Sequence, residues 1–123
     1  AERTKKILKE LNTNIDPNVR IKDLTVAYMQ LVEIAKALAK NVKLLIMDEP
    51  TRGIDVGAKH EIYEIMNDLA AQGKAIIMIS SEMAELLGMA DRICVMCNGK
   101  ITGEIDQPEE MTQAMVMNFA TRF

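Results

Sequence analysis

Aromatic side chains make up only 3% of this 123-residue chain, with no tryptophan, two tyrosines and two phenylalanines. A core without rings must be filled by aliphatic residues and by the ten methionines, within a hydrophobic total of 49%. No apolar stretch approaches the roughly 18 residues that a bilayer-spanning helix needs. Ala1 to Lys6 carries charges of both signs and no apolar segment, which speaks against an export signal. Long basic blocks are absent and the net charge is −3, so nothing points to nucleic acid as a partner. The length suits one domain with a modest core, and a cytoplasmic protein is the expectation.

Metal and redox residues are equally scarce. The two cysteines, Cys94 and Cys97, form a lone Cys-x-x-Cys, and the single histidine, His60, lies far from them. A zinc site would need a second pair or two histidines. A redox pair would open a helix, whereas this one falls in an alternating apolar run before a turn. Both cysteines read as strand residues and His60 as a surface-helix residue.

The pattern that is present reads as α/β. Ile7, Leu8 and Leu11 have helical spacing, and a polar turn with Asn12, Asn14, Asp16 and Pro17 follows. Met29 to Ala39 is an amphipathic helix with Leu31, Ile34, Ala35 and Leu38 on one face, and Thr25 is positioned to cap it. Val42 to Met47 is a nearly continuous apolar run, which predicts a strand buried on both faces. Asp55 can cap the next helix, whose stripe is Ala58, Ile62, Ile65, Met66 and Leu69, with Gly73 as its stop. A second buried strand, Ala75 to Ile79, completes a right-handed βαβ unit. Ser80 and Ser81 can cap a short helix that Gly88 ends. Arg92 to Cys97 and Lys100 to Ile105 flank Asn98-Gly99, a strong hairpin signal. A last helix from near Pro108 would use Met111, Met115 and Phe119.

Chemistry concentrates where the first apolar run stops, at Asp48-Glu49-Pro50. Ligands of open α/β sheets bind beyond the carboxyl ends of the strands. One carboxylate there can hold Mg²⁺, and its neighbour can orient a water against a phosphoryl group. An apolar run followed by Asp-Glu, taken alone, is also what a plainly solvated strand end looks like.

The surrounding words carry more information. Leu44-Leu45-Ile46-Met47-Asp48-Glu49-Pro50-Thr51 resembles the Walker B motif of an ABC-transporter ATPase with its adjacent glutamate. Gly53-Ile54-Asp55 resembles that family's D-loop, and Leu24-Thr25-Val26-Ala27-Tyr28, with the helix after it, stands where the family has its signature. The wording is similar to sugar importers of the ribose and galactose type, whose ATPase subunit carries two cassettes. Thr51 to Lys59, Ile79 to Met83 and Met89 to Arg92 are similar to the second cassette, and Val32 to Lys36 to the first, as a junction of the two would give. The resemblance implies a partial cassette over 1–123, with 1–40 as the signature-helix region and 41–123 running from Walker B to the last helix.

It further implies ATP and Mg²⁺ as cofactors of the complete cassette. Asp48 would support the metal and Glu49 would polarise the attacking water. Leu24, Thr25, Val26, Ala27 and Tyr28 would face the γ-phosphate of a nucleotide held by the other cassette, and Asp55 would act across the cassette pair. Ser81 stands in place of the family's switch histidine. The implied partners are membrane permease subunits and the other cassette, at the inner face of the cell membrane.

Three departures from the family pattern limit this expectation. Gly-x-x-x-x-Gly-Lys-Ser/Thr, which supplies cradling amides and a phosphate lysine, is absent: Gly73-Lys74 runs into Ala75 and Gly99-Lys100 into Ile101. Val26 and Ala27 replace the signature glycines, and Tyr28 its glutamine. The histidine is replaced. The expectation is therefore a part of the importing ATPase that is inactive alone, or a non-catalytic dimerising module derived from a cassette. Apolar surface left open should be covered by a second copy of the chain.

Overall fold

The structure is a computed structural model and describes residues 2–122. The chain divides into two compact units, residues 1–79 and 80–123.

In the first unit, α1 (Glu2–Glu10) packs on α2 (Val26–Ala39), and the Arg3 guanidinium donates to the Ala39 carbonyl. Thr25 starts α2 as expected, its hydroxyl accepting the Tyr28 N–H at 3.3 Å. β1 (Leu44–Asp48) and β2 (Ala75–Ile79) pair in parallel, with Leu44 opposite Ala75 and Asp48 opposite Ile79. The crossover between them is α3 (Val56–Ala71), capped by Asp55, which accepts the Ala58 N–H at 3.1 Å. Gly73 ends the crossover at φ +85°, a conformation that a side chain would strain. Leu31, Ile34, Leu45, Met47, Ile62, Ile65, Met66 and Leu69 are buried.

One expectation fails in this unit. The strands are not buried on both faces: Leu45 and Met47 are covered, but Leu44, Ile46, Ile77 and Ile79 are 47–62% exposed. The runs are apolar throughout, yet the described residues furnish a helical layer on one face only.

The second unit is built on a hairpin, β3 (Ile93–Cys97) and β4 (Lys100–Ile105). Asn98 and Gly99 both have positive φ, the signature of a type I′ turn. A bulge at Val95/Met96 leaves Thr102 unpaired in the ladder, and its hydroxyl donates to the Phe119 carbonyl at 2.6 Å. α5 (Gln113–Ala120) thereby rests on the hairpin, with Ile93, Val95, Ile105 and Val116 as the core. Met111, Met115 and Phe119 pack against it as expected.

Two helix starts differ from expectation. Pro108 opens a short 3₁₀ turn, and α5 begins later, capped by Thr112. The residue before α4 (Met83–Met89) is Glu82, which makes no side-chain cap, and the Ser80 hydroxyl accepts the Glu82 N–H ahead of the helix. Gly88 is accommodated inside α4, which ends at the extended Ala90. Among the described residues no helix is long and apolar enough to cross a membrane.

Candidate functional site at the carboxyl end of β1

Strand alternation decides where the first carboxylate points. Leu45 and Met47 face the covered side of β1, so Leu44, Ile46 and Asp48 share the open side. Asp48 is the last strand residue and is exposed. Glu49 follows with φ +46°, in the left-handed region that a residue bearing Cβ avoids. Pro50, next in line, would by itself push Glu49 into the extended region. Both local preferences are overridden: the Glu49 N–H donates to the Ile79 carbonyl at 2.8 Å, extending the ladder one residue past β1. Backbone strain of this kind costs on the order of 1–3 kcal/mol and clusters at functional positions.

The turn after Glu49 is anchored from inside. Pro50 and Thr51 are buried, Thr51 being 1% exposed. Arg52 N–H donates to the Glu49 carbonyl and Ile54 N–H to the Thr51 carbonyl, both at 3.1 Å. Gly53 takes φ +73° with nothing near its missing Cβ, so it is there for the backbone turn. This short, doubly tied segment delivers Asp55 to the start of α3. Asp48, Glu49 and Asp55 therefore stand on one rigid connection, all with acceptor oxygens.

The other expected residues lie elsewhere. Leu24 closes the 3₁₀ turn Ile21–Asp23, Thr25 is the cap of α2, and Val26, Ala27 and Tyr28 are its first residues. Val26 is 53% exposed and Tyr28 40%, so branched and aromatic bulk stands where a close backbone approach would be needed. Ser81 belongs to the second unit. Nothing in the residues signals the left-handed Glu49 or its tie to Ile79, since Glu-Pro predicts extended backbone. Cys94 and Cys97 are free thiols on opposite faces of β3, one exposed and one buried, and exposed His60 sits 3.3 Å from Glu64.

Among the described residues no group of three or more His, Cys, Asp or Glu side chains could hold a metal by itself. Mg²⁺ does not ask for such a cage: it is held by one or two carboxylates, with waters and substrate phosphates completing the octahedron. Asp48, an exposed carboxylate at the strand end, is a donor of that kind.

The family model described as ABC transporter matches residues 1–52, the stretch from α1 through the end of β1 and the Glu49 turn. An ATP-binding cassette of an ABC transporter, MJ1267, superposes with a TM-score of 0.84 at 30% identity, covering 96% of this chain and 48% of that one. A nucleotide-free ATP-binding cassette from an ABC transporter gives 0.79 at 33% identity, covering 84% and 41%. This chain corresponds to part of an ABC-transporter cassette. Its curated relatives are similar at a higher level still. The galactose/methyl galactoside import ATP-binding protein MglA of Clostridium tetani is 50% identical, and the match takes in 97% of this chain. The xylose import protein XylG of Moorella thermoacetica and the ribose import protein RbsA of Caldanaerobacter subterraneus subsp. tengcongensis are each 54% identical, over 83% and 90% of it. The chain spans 20–25% of the length of these relatives.

Proposed function

We propose that this chain supplies the carboxylate half of a nucleotide site in the ATP-binding subunit of a sugar importer of the ribose and galactose type. The observation that carries the reading is Glu49, held in a strained left-handed backbone by its bond to Ile79 at the carboxyl end of β1. A solvated strand end has no need of such strain; a carboxylate that must be aimed does. Similarity to import ATP-binding proteins and the fold of cassettes support the same reading.

In this account Glu49 orients and polarises the water that attacks the terminal phosphate. Asp48 helps to hold Mg²⁺, which when bound offsets the charge of the phosphate oxygens. Thr25 fixes the first turn of α2, so that Val26 and Ala27 present helix-start N–H groups to a nucleotide on the other cassette, flanked by Leu24 and Tyr28, whose N–H groups are taken up by the Ile21 carbonyl and the Thr25 hydroxyl. Val26 and Ala27 keep that approach longer than glycines would. Asp55 divides its oxygens between capping α3 and the cassette partner. Ser81 can donate a hydrogen bond to phosphate but, unlike an imidazole, cannot exchange a proton near neutral pH.

The partners in this reading are permease subunits and the other cassette, with the chain on the cytoplasmic side of the membrane. The 123 residues alone are expected to self-associate and not to turn over, because they contain no phosphate-cradling loop. A second reading, favoured by the open aliphatic face of β1 and β2, is a non-catalytic module that dimerises. Phosphate release at saturating Mg-ATP tests the first reading. It should stay at background for the 123-residue chain. Release above background that Glu49→Gln abolishes would show that a complete site forms without a phosphate loop.

A further inference from the structure

We infer that Lys74 is a positioning residue, which fixes the register of β2 against β1 and, through that register, the backbone that aims Glu49. The effect on Glu49 rests on the role proposed for that carboxylate; the effect on register does not. Register is strongly specified where one face of a strand is apolar and the other polar, because a slip of one residue then exchanges the two. Neither strand has that contrast along its length: β1 reads Leu-Leu-Ile-Met before Asp48, and β2 reads Ala-Ile-Ile-Met-Ile. In β1 Asp48 decides, since a slip would carry its carboxylate under the helices. In β2 nothing inside the strand decides. A slip there would trade the half-buried Ile76 and Met78 for Ile77 and Ile79, apolar for apolar.

Lys74 supplies what the strand lacks. Period-two alternation places it on the side of Ile76 and Met78. Its ammonium donates to the Val42 carbonyl at 3.0 Å, 32 residues away in sequence. Asp68 and Glu10 line the same cavity as Lys74, yet the ammonium bonds the main chain leading into β1. Beside it the Ala75 N–H donates to the Lys43 carbonyl at 2.9 Å, and Ala75 falls opposite Leu44. Asp48 then falls opposite Ile79, and the Ile79 carbonyl meets the Glu49 N–H at 2.8 Å. A slip of one residue would turn Lys74 to the other face and break its bond. It would also bring the carbonyl of Met78 or Ser80 to Glu49 in place of that of Ile79.

Nuclear magnetic resonance of the isotopically labelled 123-residue chain tests this, because a scalar coupling between the Glu49 nitrogen and the Ile79 carbonyl carbon exists only while their hydrogen bond does. Lys74→Met keeps the apolar stem and removes the donor; Lys74→Gln keeps a donor too short to reach. Each should shift the balance between the two registers by about tenfold, as loss of one charge-assisted bond implies. A second set of β1 and β2 resonances should appear, with Glu49 coupled to Met78 or Ser80. Lys74→Arg, whose donor reaches Val42, should keep the wild-type coupling. An undiminished Glu49–Ile79 coupling in a folded Met or Gln variant would overturn the inference and leave the proposed function standing. Loss confined to the Ala75–Lys43 bond would show local fraying and overturn it too, as would unfolding of both variants. A wild type without the Glu49–Ile79 coupling would instead remove the observation that carries the proposed function, and with it the aim that Lys74 is inferred to set.

Discussion

The two sheets of this chain solve the same problem differently. β3 and β4 are neighbours in sequence, closed by a two-residue turn, and α5 seals one face with Ile93, Val95, Ile105 and Val116. β1 and β2 are separated by a whole helix, and their apolar open face ends in Asp48, followed by Glu49. The hairpin satisfies local preference almost everywhere: Asn98 and Gly99 adopt the positive φ that their side chains tolerate. The parallel pair violates it at Glu49, where a glutamate before a proline is held left-handed. Charge divides as well. In the second unit Glu82, Glu85, Asp91, Glu104, Asp106, Glu109 and Glu110 meet only Arg92, Lys100 and Arg122, whereas the first unit is nearly balanced. Strain and exposed apolar surface thus gather in the unit that contains Asp48 and Glu49, and the hairpin unit carries neither burden to the same degree.

The largest expected effect sharpens this contrast by removing core volume from the first unit. Ile62 is fully buried on α3, and Ile62→Ala should cost about 2–5 kcal/mol. Urea unfolding followed by circular dichroism measures it, and a loss below about 1 kcal/mol would mean that α3 is not the packing centre of the unit.

A smaller effect probes the seal of the hairpin. A Cβ on Gly103 would lie 2.2–2.4 Å from the Phe119 ring, which Arg122 covers at 4.5 Å from its centroid. Gly103→Ala should force Phe119 to move and cost about 1–3 kcal/mol. Amide exchange in β3, β4 and α5 should accelerate with it. Unchanged exchange there would place Phe119 away from β4.

The smallest effect isolates the strain. At a left-handed position glycine is tolerated and alanine is not, so Glu49→Gly should be more stable than Glu49→Ala by about 1 kcal/mol. Equal melting of the two variants would remove the strained turn, and with it the observation that singles out Glu49.

Much of this was legible in the residues. Thr25, Asp55 and Asn98-Gly99 announced two caps and a turn because each acts within a few residues of itself. The order of motifs from Leu24 to Asp55 pointed to the cassette before any coordinates did. The rest depended on distant atoms. Ser80 and Ser81 had the right chemistry for a cap, but Ser80 bonds within the turn instead. The apolar composition of β1 and β2 predicted two covered faces, and whether a layer exists to cover the second cannot be read from the strand itself. Glu49 is the clearest case: its conformation is set by the Ile79 carbonyl, thirty residues away in sequence, and nothing local foretells it.

In the proposed role, this chain offers the carboxylates of a nucleotide site without the means to cradle phosphate. Calorimetric titration of the 123-residue chain with Mg-ATP, beside an Asp48→Ala control, tests it most directly. No heat of binding is expected at millimolar nucleotide in either protein. Binding that Asp48→Ala abolishes would contradict it, because some other segment, or a second copy, would then be replacing the phosphate loop.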